Sequence, residues 1–281
     1  MDKQDDIKAR ILDWMSHEGY PLEFKVANSF RSNRFQTFQG HYIKDFKTEI
    51  PREIDVLAQM STRISESFLR ISYVVECKKT DNKPWIIFTD YSTQISPGAC
   101  ISQSIATKSA ETILWILAGD KEIQNLSIFK TPKRPGFNGR QAFSSQYDLV
   151  YSTLQSIMSA CYSKRLDYEK HHKNLEDNLS FGILLIPLIV IEGRLFETFY
   201  NLETGDIDIE EKDHIRLHWR GSEAWPLHST MDIVTIKYLP DFVNKISSET
   251  AFLLDKMAIV FQLVKQCVDQ KGLEPIKDFS N

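Results

Sequence analysis

The chain has 281 residues, 42% of them hydrophobic, which is enough for a sizeable core in one or two domains. A formal net charge of −4 excludes a global basic field, so any nucleic-acid binding must come from local patches. Cys77, Cys100, Cys161 and Cys267 form no CxxC pair and no zinc spacing, as expected of reduced thiols in a cytoplasmic protein.

The start, MDKQDDIKAR, is charged and has no apolar signal core. Ile7, Ile11, Leu12, Trp14 and Met15 recur at helical spacing and predict a helix over 4–18, ending at Gly19. Pro21 suits the first turn of a second helix, 21–33, with Leu22, Val26, Ala27 and Phe30 on one face. Three strand-like runs follow at 35–43, 52–60 and 69–79, and a short one at 84–88. Residues 89–144 are less regular and read as an insertion, with a helical stretch at 104–119. KTPKRPGFNGR, 130–140, reads as a basic loop, in which Lys130, Lys133, Arg134 and Arg140 have no acid between them and are candidates for phosphate contact. A long amphipathic helix is predicted over 147–166, followed by the charged tract 166–178, the best place for a boundary. His171 and His172 lie there, with little to recommend them as metal ligands. FGILLIPLIVI, 181–191, is too short for a membrane span and is interrupted by Pro187, so it reads as a buried strand, and no membrane partner is expected. Strands at 194–201, 214–220 and 231–238 and a helix over 240–270 complete the chain. Trp85, Trp115, Trp219 and Trp225 read as packing or edge residues. The whole is an α/β pattern, a mixed β-sheet flanked by helices. It divides into an N-terminal helix (1–20), a core (21–191) and a strand-rich C-terminal extension packed on it (192–281).

The pattern acid-x-Lys occurs seven times, so the tripeptide alone is uninformative. Glu76 and Lys78 differ from the other pairs because they close an apolar strand. If 52–60 and 69–79 form a hairpin through the loop Ile64–Ser67, Asp55 lies opposite Glu76 and Glu53 opposite Lys78. Ile54, Val56, Ala58 and Met60, with Cys77, Val75, Tyr73 and Ile71, then make an apolar core face, and Cys77 is inert there. The other face carries the charged cluster, in which Glu53 is expected to pair with Lys78 or Arg52. A slip of one residue would turn the carboxylates into the core. Two carboxylates this close repel unless a cation sits between them. Asp55, Glu76 and the Cys77 carbonyl suit Mg²⁺, with Mn²⁺ as an alternative, and Lys78 suits orienting water or steadying developing negative charge. No P-loop, glycine fingerprint or Ser-His-Asp order offers other chemistry.

REIDVLAQ with Asp55, and VVECKK with Glu76 and Lys78, resemble the two motifs of the PD-(D/E)xK restriction-endonuclease-like superfamily; Ile54 stands where its nominal proline would be. YPLEFKVA, with Glu23, resembles the first core helix of several such nucleases, whose acid helps to bind metal. The resemblance covers about residues 20–191. It implies a restriction-endonuclease-like core and Mg²⁺-dependent hydrolysis of DNA, with RNA left open, by Asp55, Glu76 and Lys78 assisted by Glu23. A role in restriction or antiphage defence is an association of the superfamily. The alternative is a catalytically weak or gated subunit that binds nucleic acid or a partner. A homodimer or an accessory protein partner is compatible with either.

Overall fold

The computed structural model describes residues 3–65, 67–80, 83–91, 95–144, 148–172, 181–220 and 229–271. In chain order the elements are α1 (Lys3–His17), α2 (Tyr20–Ser32), β1 (Gln36–Lys44), β2 (Pro51–Ile64), β3 (Ser67–Lys79), β4 (Trp85–Thr89), α3 (Pro97–Ser102), β5 (Ile105–Ala106), α4 (Lys108–Leu117), α5 (Lys121–Gln124), β6 (Gly136–Gln141), α6 (Leu149–His172), β7 (Phe181–Glu192), β8 (Leu195–Tyr200), β9 (Ile207–Lys212), β10 (His214–Trp219), β11 (Ser229–Thr235) and α7 (Leu239–Lys271). The described strands form one mixed sheet in the order β1-β2-β3-β7-β11-β10-β6-β4-β8-β9, with β5 paired to β7. Helices cover both faces, as the α/β reading requires. One core layer joins α2, α4 and α7 to the sheet through Phe30, Val56, Tyr73, Ile113, Val243 and Met257. The other sets α6 against it through Leu57, Val74, Leu154, Ile157, Ile189 and Ile233.

β7 is central and buried on both faces, as a continuous apolar run demands. It pairs in parallel with β3 from Phe68–Phe181 to Lys79–Glu192. On its other side β5 pairs as far as Leu185 and β11 begins at Leu188, so Pro187, which has no N–H to give, falls between the two ladders. The β2–β3 hairpin has the expected register, with Leu57 opposite Val74 and Gln59 opposite Ser72. Its turn is tighter than expected, because the ladder continues to Ile64–Ser67 and Ser65 takes a φ of +51°. The face that carries the charged cluster at one end is, in its middle, a second core around Leu57 and Val74.

Several expectations are corrected. The 104–119 stretch is not one helix: β5 pairs first, and α4 begins only after Thr107. The supposed loop 130–140 becomes strand β6 from Gly136, antiparallel to β4. Its glycines permit the approach: a Cβ on Gly139 would lie 2.6 Å from Ile87 Cδ1 and 2.9 Å from the Ile86 carbonyl. Helix α6 runs through the first half of the charged tract to His172; residues 173–178 of that tract and Trp225 lie outside the described residues, as does the side chain of His172. Residues beyond 191 are not a layer laid on a finished core, since β8, β10 and β11 enter the same sheet. Strand β9, which was not anticipated, pairs with β8. On α1 the apolar side chains recur as expected, yet Ile7, Ile11, Leu12 and Trp14 are all exposed. Trp85 is fully buried, Trp219 packs at the edge of the α6 core, and Trp115 is exposed with its indole N–H on the Ser102 carbonyl. His171 turns back onto the Asp167 carbonyl of its own helix.

β10 and β11 are locked by a buried ion pair. Arg216 donates to both oxygens of Asp232, at 2.9 and 2.6 Å, and both side chains are 5% exposed. Burial opposes the charge on Asp232, but Arg216 and His214 hold its carboxyl well below the usual range. Replacing Asp232 by Asn strands a buried guanidinium and should lower the unfolding free energy by about 3–5 kcal/mol at neutral pH. A group with a depressed pKa contributes its stability above the unfolded-state pKa and loses it as pH falls. The gap between wild type and Asp232→Asn, read by urea denaturation, should therefore narrow below about pH 4.

Candidate metal-binding site at the end of the β2–β3 hairpin

Strand β3 delivers Glu76 and Lys78 to one place because residues two apart on a strand share a face. Lys78 Nζ lies 2.7 Å from Glu76 Oε1, and the carboxylate is nearly buried, at 11% exposure, against 29% for the lysine. The antiparallel ladder with β2 ends at Val56–Val75. One step further the Cys77 amide donates to Asp55 Oδ2 at 2.7 Å, so a side chain takes the place of a ladder carbonyl. The same step disturbs the alternation of β2. Ile54, expected on the face of Val56, joins Leu57 and Val74 in the opposite core. Asp55 thus sits where β2 leaves β3.

The first turn of α2 brings Glu23 close enough to feel Glu53, Lys78 and Glu76; burial, then Glu53, raise its carboxyl above the usual value, and Lys78 opposes them. Asp55 is the most perturbed of the group. Burial first, then the Glu76 charge, push it up to about 7, against the Cys77 amide and Lys78, which pull it down. For Lys78 burial works downward, but Glu76 and Asp55 together hold its pKa above the ordinary lysine value. Three acids and one ammonium group leave the site short of positive charge.

That donor set fits a hard divalent cation. Among the described residues no three His, Cys, Asp or Glu side chains are arranged as a metal cage. A Mg²⁺ held by one or two carboxylates and completed by water and substrate oxygen does not require one. Asp55 and Glu76 would hold it, with Glu23 and the Cys77 carbonyl at hand. The Cys77 thiol itself is buried, which pushes its pKa up and leaves it inert, as expected.

Glu53 is a correction. It pairs with neither Lys78 nor Arg52; it accepts the Tyr42 hydroxyl at 3.1 Å from the neighbouring strand β1. Arg52 turns to Asp45 and Ser156. Tyr42, 64% exposed, was missed because its role follows from the pairing of Tyr42 with Glu53, and nothing local in the sequence signals which strand β1 joins. Gly40, with a φ of +63°, lies between Phe38 and Tyr42 on that strand.

The basic stretch is not brought to this site. β6 and the segment before it are separated from β3 by β7, β11 and β10. Arg134, expected to be open to phosphate, is committed to Glu197 at 2.6 Å and lies near Glu210 at 3.6 Å, acids supplied by strands far along the chain. Arg140 is exposed on β6, with Asp148 at 4.0 Å. Lys130 and Lys133 are exposed.

Comparison of the chain with protein-family models, with curated proteins and with solved structures finds no match. The site therefore stands on its own geometry.

Because the folded protein holds a proton on Asp55 more tightly than the unfolded chain does, Asp55 erodes stability as pH rises from about 4 through 7. Asp55→Asn should remove that erosion. With chelator present, the variant should be more stable than wild type at pH 8, by on the order of 1–3 kcal/mol, and the advantage should vanish near pH 4. Denaturant melts across this range check it; a pH-independent difference would contradict the charge shortage described above.

Proposed function

We propose that the protein is a Mg²⁺-dependent nuclease, with a restriction-endonuclease-like core, that hydrolyses phosphodiester bonds of DNA. Mn²⁺ is the natural substitute metal. The observation that carries this reading is the meeting of Asp55, Glu76 and Lys78 where the β2–β3 ladder ends, in a cluster with too little positive charge for its acids. The motif resemblance supports the same conclusion, with Ile54 at the variable position before Asp55.

Asp55 and Glu76 would hold Mg²⁺, which would lower the pKa of a bound water and offset charge on the phosphoryl oxygens. Asp55 keeps one oxygen on the Cys77 amide, which fixes the orientation of the other. Lys78 is held charged by Glu76 and stands ready to orient the attacking water or to steady the negative charge that develops at phosphorus. Glu23, raised above its usual pKa at the rim, assists as a further acid.

Supercoiled plasmid and single-stranded oligonucleotides, each incubated with Mg²⁺ or Mn²⁺, test the proposal. Wild type should nick or degrade at least one of them. Glu76→Ala and Lys78→Ala should each lose at least about 100-fold in rate. Equal rates in all three proteins, or no cleavage by wild type of any DNA or RNA offered, would overturn it.

One observation favours a second reading, a gated or weakly active subunit that binds nucleic acid or a partner: the Lys78 ammonium already occupies an oxygen of Glu76 at 2.7 Å. Calorimetric titration with Mg²⁺ separates the two. Heat of binding that disappears in Asp55→Asn supports the nuclease; a metal-indifferent protein that still binds DNA supports the gated subunit.

A further inference from the structure

A second, separate concavity lies beyond β7 and β11 in the strand order from Asp55. It has a volume of about 250 Å³, and its lining includes Lys130, Thr131, Arg134, Glu197, His214 and Arg216. These residues come from the segment before β6, from β8 and from β10, and none belongs to the acid cluster.

The cavity is held open by buried structure. Arg216, fixed at one end by Asp232, also donates through Nη1 to the carbonyls of Ser127 and Lys130, at 2.5 and 2.9 Å. The backbone that carries Lys130 and Thr131 is therefore pinned to the core by an arginine that cannot move without breaking a buried ion pair. Thr131 is tied by its hydroxyl to the Ile95 carbonyl. Arg134 is held by Glu197 and by the Tyr91 hydroxyl, with its guanidinium 3.5 Å from the centre of the Phe199 ring. A lining fixed in this way does not have to be ordered when a ligand arrives.

Its charges point to an anion. Arg134 is balanced by Glu197, its second acid Glu210 is itself paired with Lys212, and Arg216 is balanced by Asp232 behind the wall. Lys130 is exposed and its ammonium has no acidic partner among the described residues, so it is the excess positive charge. His214, which lines the cavity, donates Nε2–H to Asp232 at 2.7 Å, which leaves Nδ1 as the ring nitrogen with no hydrogen bond among the described residues. With Nε2–H given to Asp232, Nδ1 carries the ring's lone pair and can accept the proton of a hydrogen phosphate. The volume corresponds to about eight waters at roughly 30 Å³ each, more than a bare oxyanion fills. We infer that this cavity binds a small phosphate-bearing anion through Lys130 and His214, with Arg134 at its edge. The inference is independent of the nuclease reading, because β7 and β11 stand between the two sites.

Thermal melts and calorimetry of the full chain, with inorganic phosphate and with adenosine monophosphate, test it against sodium chloride at matched ionic strength. Wild type should gain several degrees in melting temperature with phosphate or the mononucleotide and nothing with chloride. Lys130→Ala, a surface change that leaves the pinned carbonyl in place, should weaken binding at least tenfold. His214→Gln should do the same, and Lys78→Ala at the other site should not. Tighter binding of the mononucleotide than of phosphate would identify the source as a nucleotide; equal binding would identify free phosphate. No shift with either probe, or a shift unchanged in both Lys130→Ala and His214→Gln, would overturn the inference.

Discussion

The parallel ladder between β3 and β7 is the constraint on which the rest depends. It runs unbroken to Lys78–Ile191 and Lys79–Glu192. On the opposite edge of β3, the ladder with β2 stops at Val75. The last residues of β3 are thus held from one side by backbone and from the other by a single carboxylate, Asp55. Because β7 is buried on both faces, with α4 and α6 packed against it, its position cannot relax, and Glu76 and Lys78 inherit that rigidity. A site on a strand fixed this way is better ordered than one carried by a loop.

Three aspartates show how differently the fold treats a carboxylate. Burial pushes Asp45 up, but the Ser159 hydroxyl and the turn amides of Thr48 and Lys47 bring it down to about 2. Asp232 has a guanidinium and an imidazole. Both are carboxylates whose surroundings supply the donors that an ionised group needs, and each ties elements together. Asp55 has one amide and shares the Lys78 charge with two neighbouring acids, and it alone of the three is pushed up. An acid left undersupplied beside other acids points to a cation or a proton as the missing partner, which sets the β2–β3 site apart from the structural ion pairs.

The same accounting separates the two cationic features of the chain. Arg134 belonged, by its local sequence, to a run of unopposed positive charge, and in the fold it is among the most firmly paired cations because β8 and β9 bring Glu197 and Glu210 to it. Lys130, four residues earlier, has no acidic partner among the described residues. Sequence neighbours in an irregular segment thus have different partners, since neither acid lies within fifty residues of the arginine.

Much of the site could be read from the sequence. Side-chain alternation and the penalty for turning Asp55 or Glu76 into the core select one hairpin register, and a two-residue period carries that information over short distances. The buried faces of α2 and β7 follow from their apolar patterns for the same reason. The break in alternation at Ile54, the Tyr42–Glu53 bond, the conversion of the basic stretch into strand β6, and the Asp232–Arg216–His214 cluster were not legible. Each depends on a strand pairing or a break in register that no local period encodes: β1 with β2, β10 with β11, and β6 between β4 and β10. The sequence by itself determined which residues share a face wherever the two-residue or helical period is unbroken, which excludes Ile54 on β2. Only the tertiary structure decided which elements meet, because that choice is made by burial summed over two core layers.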